Sequence, residues 1–239
     1  MAAKMASLSL ALPSGEVTVR VRRSVRATRV ALKIDPGADG VELILPERVP
    51  LSFGVEFLKA RTDWVAARYR PQPASIPFAD GAMIPILGVP HRIRHLDIGR
   101  QGRNAVIAIV DGEIRVAGAP PHVARRVRDH LTDLARQELA DRARRHALSV
   151  GREIGRITVR DTRSRWGSCA ASGNLSFSWR LVFAPVAVLD YVVAHEVAHL
   201  VHMNHGAEFW KLVESLVPGW QSHRTWLRAN RARLMRYGG

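Results

Sequence analysis

The sequence has 239 residues, enough to bury a full hydrophobic core in one large domain or in two smaller ones. Apolar residues make up 47% of it and charged residues 24%, a composition that excludes an intrinsically disordered chain. No apolar run approaches the roughly 20 residues that a membrane-spanning helix needs, so we expect a soluble protein.

The charge of the chain is strongly positive and comes mainly from arginine. The formal net charge is +15, and all of the 36 basic residues except Lys4, Lys33, Lys59 and Lys211 are arginines. Clustered arginines attract phosphates. These arginines are spread along the chain, so we expect loose association with an acidic partner, weak association with nucleic acid included, rather than specific recognition of nucleic acid.

Cysteine usage indicates the compartment. Cys169 is the only cysteine, which excludes an intramolecular disulfide. Nothing in this usage points to an oxidising environment, so we expect a cytoplasmic protein.

The N-terminal part has a β-β-α pattern. Apolar and polar residues alternate from Glu16 to Ile34, which predicts strands with one solvent-facing side. Asp35-Pro36-Gly37 predicts a turn, and Val41–Leu45 predicts a further strand. The spacing of apolar residues predicts a helix from Leu51 to Tyr69.

The middle of the chain contains short strands and a long helix. Glycines separate four runs that predict a small antiparallel sheet, namely Met83–Leu87, His91–Ile98, Ala105–Val110 and Glu113–Val116. Pro120-Pro121 then breaks the chain before a predicted amphipathic helix from His122 to Ser149.

The C-terminal part mixes strands and helices, which predicts an α+β fold. The predicted strands are Ile157–Val159 and Leu175–Phe183, and the predicted helices are Val186–His202, Ala207–Leu216 and Ser222–Met235. We place a soft boundary near residue 120 and divide the chain into an extension (1–17), a β-rich part (18–120) and a part that carries the chemistry (121–239).

The sequence His195-Glu196-Val197-Ala198-His199 predicts a zinc site. On a helix, residues i and i+4 lie on one face, so both imidazoles can bind one ion. Glu196 is offset around the helix axis, where it can act as general base on a zinc-bound water and then protonate the leaving amine. This chemistry is that of a zinc peptidase.

A catalytic zinc needs a third protein ligand, for which His202, His205, Glu208 and Glu214 are the nearby candidates. His202 lies too far along the helix from His195 to share one ion with it, about 10 Å at 1.5 Å per residue. Asn204 tolerates a left-handed turn that would return the chain and bring His205 to the ion. The spacing therefore favours His205, with Glu208 and Glu214 as alternatives.

Several motifs resemble those of the YgjP-like metallopeptidases, a family related in sequence pattern to the SprT-like proteases of the zincin group. The resemblance extends from about residue 18 to 230. The residues that carry it are Arg163-Ser164-Arg165-Trp166-Gly167-Ser168-Cys169, Trp179-Arg180-Leu181, Leu189-Asp190-Tyr191-Val192-Val193-Ala194-His195-Glu196 and Asn204-His205-Gly206-Ala207-Glu208-Phe209-Trp210, with the earlier Arg22-Arg23-Ser24-Val25-Arg26-Ala27 and Asp80-Gly81.

The resemblance implies one continuous family domain over 18–230: a zincin-like metallopeptidase domain with an N-terminal β-rich subdomain. It implies His195, His199 and His205 as ligands of one zinc ion, and Glu196 as catalytic acid and base. The chain departs from the family pattern at Ser178, where Asn is common, and at Val197, where Leu is common. Neither position is a ligand.

Further residues have two interpretations each. Cys169 is either a small buried residue, which is favoured, or a fourth metal ligand or a thiol that blocks the site. Arg163, Arg165 and Arg180 either pack and pair around the metal helix, the favoured interpretation, or stabilise a developing oxyanion. The predicted strand at 174–183 is a candidate for pairing with an extended substrate.

Two classes of function follow from these patterns. The leading one is a zinc-dependent endopeptidase that acts on a protein or peptide substrate. The alternative is a basic, nucleic-acid-associated binding protein, or a protease recruited to protein bound on nucleic acid.

Overall fold

The computed structural model describes residues 6–34, 40–69, 74–97 and 107–238, and it confirms the predicted α+β class with a β-rich N-terminal region. The chain divides into two compact units, Met1–Pro73 and Ala74–Gly239. Each unit has its own buried apolar cluster. No helix within the described ranges combines the length and the apolarity needed to cross a bilayer.

The first unit is a four-stranded sheet with two helices. Its elements are β1 (Ala6–Leu12), β2 (Gly15–Ser24), β3 (Ala31–Ile34), β4 (Val41–Pro46), α1 (Leu51–Lys59) and α2 (Thr62–Arg68). The strand order is β1-β2-β4-β3, with β2 and β4 parallel. A Cβ at Gly54 would lie 2.7 Å from Leu45 Cδ2, so glycine lets α1 approach the sheet closely.

The described residues of the predicted N-terminal extension (1–17) form β1 and the start of β2. Ala6–Leu12 pairs antiparallel with β2, and Leu10 and Leu12 are buried. Their alternation with polar or small residues is the period-2 pattern of a strand with one buried face. The predicted turn at 35–37 lies outside the described residues.

The helix predicted from Leu51 to Tyr69 is two helices in the structure. The Arg61 amide donates to the Leu58 carbonyl in a tight turn at the end of α1. The Thr62 hydroxyl donates to the Lys59 carbonyl, which competes with continued helical bonding.

The second unit begins with another four-stranded sheet. Its strands are β5 (Met83–Ile86), β6 (Val89–Leu96), β7 (Ile107–Val110) and β8 (Glu113–Ala117), in the order β5-β6-β8-β7. The prediction of an antiparallel sheet is wrong for one pair, because β6 and β8 are parallel. The chain reverses between β7 and β8, and β8 rather than β7 lies beside β6. Ile98 and Ala105, predicted as strand ends, lie outside the described residues.

The helix α3 (Val123–Ser149) packs against this sheet and agrees closely with its prediction. Val127 and Leu131 of α3 share one buried cluster with Ile93 and Ile114 of the sheet. The core is therefore continuous across residue 120. The structure divides the chain between residues 73 and 74, not at the predicted boundary near 120.

The rest of the second unit is a three-stranded sheet and three helices. The elements are β9 (Ile157–Arg160), β10 (Gly167–Cys169), β11 (Leu175–Ser178), α4 (Val186–Ala198), α5 (Ala207–Leu216) and α6 (Trp220–Met235). The strand order is β10-β11-β9, and β11 is antiparallel to β10 and parallel to β9. The strand predicted over 175–183 stops at Ser178, because Trp179–Phe183 forms a 3₁₀ helix whose side chains are all buried.

Candidate metal centre

The helix α4 carries His195 and Glu196, is followed directly by His199, and is largely buried. An all-round apolar helix belongs in the core rather than on the surface. Asp190 of α4 is anchored to α3, since His146 Nε2 lies 3.0 Å and Arg142 Nε 3.5 Å from its Oδ1 atom. Burial alone would raise the pKa of Asp190, but the hydrogen bond and charge of His146, with Arg142 and Arg145, hold it below its ordinary value.

The end of α4 determines where the third histidine lies. The helix ends at Ala198 rather than at the predicted His202. The amides of Leu200 and Val201 instead donate to the carbonyls of Val197 and Ala198, three residues earlier, which is the hydrogen-bond pattern of a 3₁₀ turn. The chain therefore reverses before α5, and His205 returns toward α4.

The structure brings the three predicted histidines together. One ring nitrogen from each of His195, His199 and His205 lies within 4.8 Å of the other two. His195 Nε2 and His205 Nε2 are 3.1 Å apart. Two neutral imidazole nitrogens at this distance repel unless they share a proton or both bind a cation.

The other predicted candidates for the third ligand lie elsewhere. Glu208 pairs with Lys211 at 2.7 Å, and Glu214 Oε1 accepts a hydrogen bond from the Gly219 amide at 3.1 Å. His202 contributes only its backbone carbonyl, which lies 3.0 Å from His199 Nδ1. Cys169 is half-buried on β10, with its thiol 3.5 Å from the Ala170 carbonyl.

A buried phenylalanine packs against all three imidazoles. The ring centroid of Phe209 lies 5.0 Å from that of His195, 4.6 Å from that of His199 and 4.7 Å from that of His205. Phe209 is 1% exposed, so its position is fixed by the core of the unit. We therefore expect Phe209 to help orient the three rings.

The environment of the histidines favours their neutral forms. Burial, with the nearby His199, His205 and Arg224, lowers the pKa of His195 to about 3. Burial and His205 lower the pKa of His199, although its bond to the His202 carbonyl acts in the opposite direction. A neutral imidazole offers the lone pair that a metal ion requires.

Glu196 follows His195 on α4 and is buried. It is 6% exposed, and burial raises its pKa to about 7 against the opposing charge of Arg165. The backbone of Gly167 on β10 leaves space for its carboxyl group, because a Cβ at Gly167 would lie 2.5 Å from Glu196 Oε1. The side chain of the predicted base thus projects from α4 and packs against the first residue of β10.

The three arginines singled out in the sequence have different roles. Arg180 is 1% exposed and binds Asp161 through Nε at 2.7 Å and through its second terminal nitrogen at 3.2 Å. It also donates to the Tyr237 and Met235 carbonyls, so it packs the C-terminus rather than facing the cluster. Arg163 accepts a hydrogen bond from Arg231 at its carbonyl. Arg165 is exposed and acts on Glu196 through its charge.

The strand predicted to pair with substrate lacks a free edge. Within β10-β11-β9, β11 has hydrogen-bonded neighbours on both sides. A central strand cannot accept a further one, so the prediction for 174–183 is wrong. Among the described residues, β10 and β9 are the edge strands of this sheet.

Sequence reasoning missed the roles of Gly167 and Phe209 and an aromatic stack beside the cluster. Trp210 stacks on Trp220 at 4.2 Å, and the Arg224 guanidinium lies 5.5 Å from the Trp210 centroid. Gly167 and Phe209 do occur in the family-like motifs, but no spacing rule connects either of them with the histidines. Their roles become visible only in the contacts between elements, from Gly167 to Glu196 and from Phe209 to the three histidines.

The donor set and its surroundings fit a divalent metal ion. At 2.0–2.1 Å from a tetrahedral zinc, ligand nitrogens lie about 3.3 Å apart, close to the 3.1 Å between His195 and His205. With its Nδ1 donating to the His202 carbonyl, His199 would keep its Nε2 lone pair for a metal.

The sequence has the HExxH pattern at 195–199, and the structure adds a cluster of three imidazoles on an α+β scaffold, a combination typical of metal-dependent hydrolases. A family model described as YgjP-like, metallopeptidase domain, matches residues 28–230, and the chain belongs to this family. Membership confirms the resemblance seen in the sequence and implies a metal ion. No curated protein matches the chain.

Proposed function

We propose that this protein is a zinc-dependent peptidase in which His195, His199 and His205 hold one zinc ion and Glu196 is the general base and acid. The observation that carries the proposal is the convergence of the three imidazoles, together with the buried Glu196 next to His195 in the chain. The metallopeptidase family of the chain supports it.

The chemistry of the donors favours zinc among divalent ions. Imidazoles suit zinc, whereas calcium and magnesium prefer oxygen ligands. Three protein ligands leave a fourth position free, as in catalytic zinc sites. When bound, the ion supplies Lewis acidity, which makes water more acidic and polarises a carbonyl group.

Glu196 moves the proton in this scheme. Its position one residue after His195 directs the carboxyl group beside the imidazole cluster, and Gly167 leaves it room. The carboxylate accepts the proton of the attacking water and delivers it to the nitrogen of the departing amine. No covalent bond to the protein is needed.

An extended substrate fits beside β10. This strand is at the edge of its sheet in the described structure, and its first residue contacts Glu196. A polypeptide added to that edge would make main-chain hydrogen bonds and bring a peptide group toward the cluster.

The proposal is tested by Glu196→Gln, with Glu208→Gln as the matched control on α5. We expect Glu196→Gln to lower hydrolysis of a quenched fluorescent peptide library by about 10²–10⁴-fold while one zinc per chain is retained, because it removes only the base. Glu208 pairs with Lys211 at the surface, so Glu208→Gln should retain activity. Unchanged hydrolysis in Glu196→Gln would show that the base is another group.

A further inference from the structure

The small sheet β10-β11-β9 has two chemically different faces. Paired residues in adjacent strands point to the same side of a sheet. On the inner face, Leu175 and Phe177 are buried in the core of the unit. On the outer face, Ser168, Ser176 and Thr158 lie side by side in register across the three strands.

The outer face is a basic groove. Its volume is about 520 Å³, and its lining includes Arg156, Arg160 and Arg165 together with the row of hydroxyl side chains. All three arginines are exposed, and the described lining residues include no carboxylate. The residues therefore present hydrogen-bond donors and positive charge.

The arginines of this groove differ from other exposed arginines in their ion pairing. Exposed arginines on α3 have acidic partners, for example Arg125 with Asp129 and Arg144 with Asp141. No ion pair is seen for the three groove arginines within the described ranges. Asp161, which follows Arg160 in the sequence, is bound by the buried Arg180 instead.

The groove and the candidate metal centre share one strand. In β10, Gly167 faces Glu196, whereas the next residue, Ser168, lines the groove on the other side of the sheet. Arg165 lines the groove and also acts on Glu196 through its charge. A polypeptide that crosses the β10 edge would therefore contact both.

The chemistry of the lining distinguishes between acidic ligands. Proteins that bind single-stranded nucleic acid combine positive charge with aromatic side chains on which bases stack. The described lining contains no aromatic residue. It matches carboxylates, which accept hydrogen bonds from guanidinium and hydroxyl groups.

We infer that this groove is a binding site for an acidic segment of a polypeptide substrate. The inference rests on the proposed peptidase function for its biological meaning, and it names the substrate class as proteins with clustered Asp and Glu residues. Arg156 and Arg160 would bind carboxylates over β9, and Arg165 would bind one near the metal centre.

Binding is measured on the full chain with Glu196→Gln, so that no turnover is needed and failure of the peptidase proposal leaves the result interpretable. The probes are a fluorescein-labelled peptide of alternating Glu and Ser, its counterpart with Gln in place of Glu, and labelled oligothymidylate. We expect Arg156→Gln with Arg160→Gln to weaken binding of the acidic peptide about tenfold, as read by fluorescence anisotropy. The Gln peptide should bind weakly to both proteins.

The matched control is Arg125→Gln with Arg144→Gln, which removes the same charge from α3. It should weaken binding of the acidic peptide less than twofold, because these arginines lie outside the groove. Equal losses in the two double variants would show that net charge alone binds the peptide and would overturn the proposal. So would a greater loss of oligothymidylate than of acidic peptide in the groove variant, which would assign the groove to nucleic-acid phosphates.

Discussion

The backbone of Gly167 lies directly against the carboxyl group of Glu196. A Cβ placed on Gly167 would be 2.5 Å from Glu196 Oε1 and 2.6 Å from its Cγ, which are distances that real Cβ atoms do not show. Gly167 does not have a left-handed backbone, so the requirement for glycine at this position is space for the neighbouring side chain. The strand β10 thus determines where the proposed base can lie.

Gly167→Ala is expected to displace Glu196 and to lower kcat/KM for peptide hydrolysis by about 10²-fold, because a shift of about 1 Å in a reacting group has such an effect. Zinc stoichiometry should stay at one per chain, since no ligand is moved. Gly206→Ala is the control, because its Cβ would meet only Asn204 Oδ1, at 3.7 Å. Wild-type activity in Gly167→Ala would contradict this role.

Phe209→Leu is expected to weaken zinc binding about tenfold, the low end of the effect seen when groups that orient metal ligands are changed. The leucine keeps an apolar side chain in the core but lacks the ring that contacts all three imidazoles. Competition with a chromophoric chelator measures the zinc Kd. Phe53→Leu, at an exposed site in the first unit, is the control. An unchanged Kd in Phe209→Leu would show that the rings are oriented by other contacts.

Asp161→Asn is expected to destabilise the protein by about 2 kcal/mol at pH 7, because it leaves the buried Arg180 without its charged partner. Asp161 is 44% exposed, so solvent screening keeps the effect below that of a fully buried pair. Urea denaturation measures the free energy of unfolding. Asp133→Asn, which breaks an exposed pair with Arg136, should cost about 0.5 kcal/mol or less.

The effect of Asp161→Asn should depend on pH with a definite sign. Burial alone would raise the pKa of Asp161, but the hydrogen bond and charge of Arg180 lower it below its ordinary value. A carboxyl group whose pKa is lower in the folded than in the unfolded state stabilises the fold at pH values above its unfolded pKa of about 3.9. That stabilisation is lost as the pH falls through the pKa of the folded state. The difference from wild type should therefore be constant between about pH 7 and 5 and shrink below about pH 4. A difference that grows on acidification would contradict this pairing.

The ligand residues were predictable because they are close in sequence. His195 and His199 are fixed by helical geometry, and His205 needs only a turn after the helix. The structure places that turn earlier than predicted, at Ala198. A prolonged helix to His202 would have carried the chain away from the site, so the early end of α4 is what brings His205 back.

The strand pairings and the contacts between elements were not predictable in the same way. Nothing in the alternation of β6 and β8 shows that they lie side by side and parallel, because the pattern reports burial and not the neighbour. Likewise, the pattern at Leu175–Phe183 did not show that β11 is central. The proximity of Gly167 to Glu196 depends on such pairing, since β10 was not predicted as a strand.

The most direct test of the zinc centre is metal content by elemental mass spectrometry on wild type, His199→Ala, His205→Ala and His202→Ala after zinc reconstitution. We expect about one zinc per chain in wild type and in His202→Ala, whose ring lies outside the cluster, and loss of zinc in the other two variants. Absence of zinc from wild type, or full occupancy in His205→Ala, would contradict the three-histidine site.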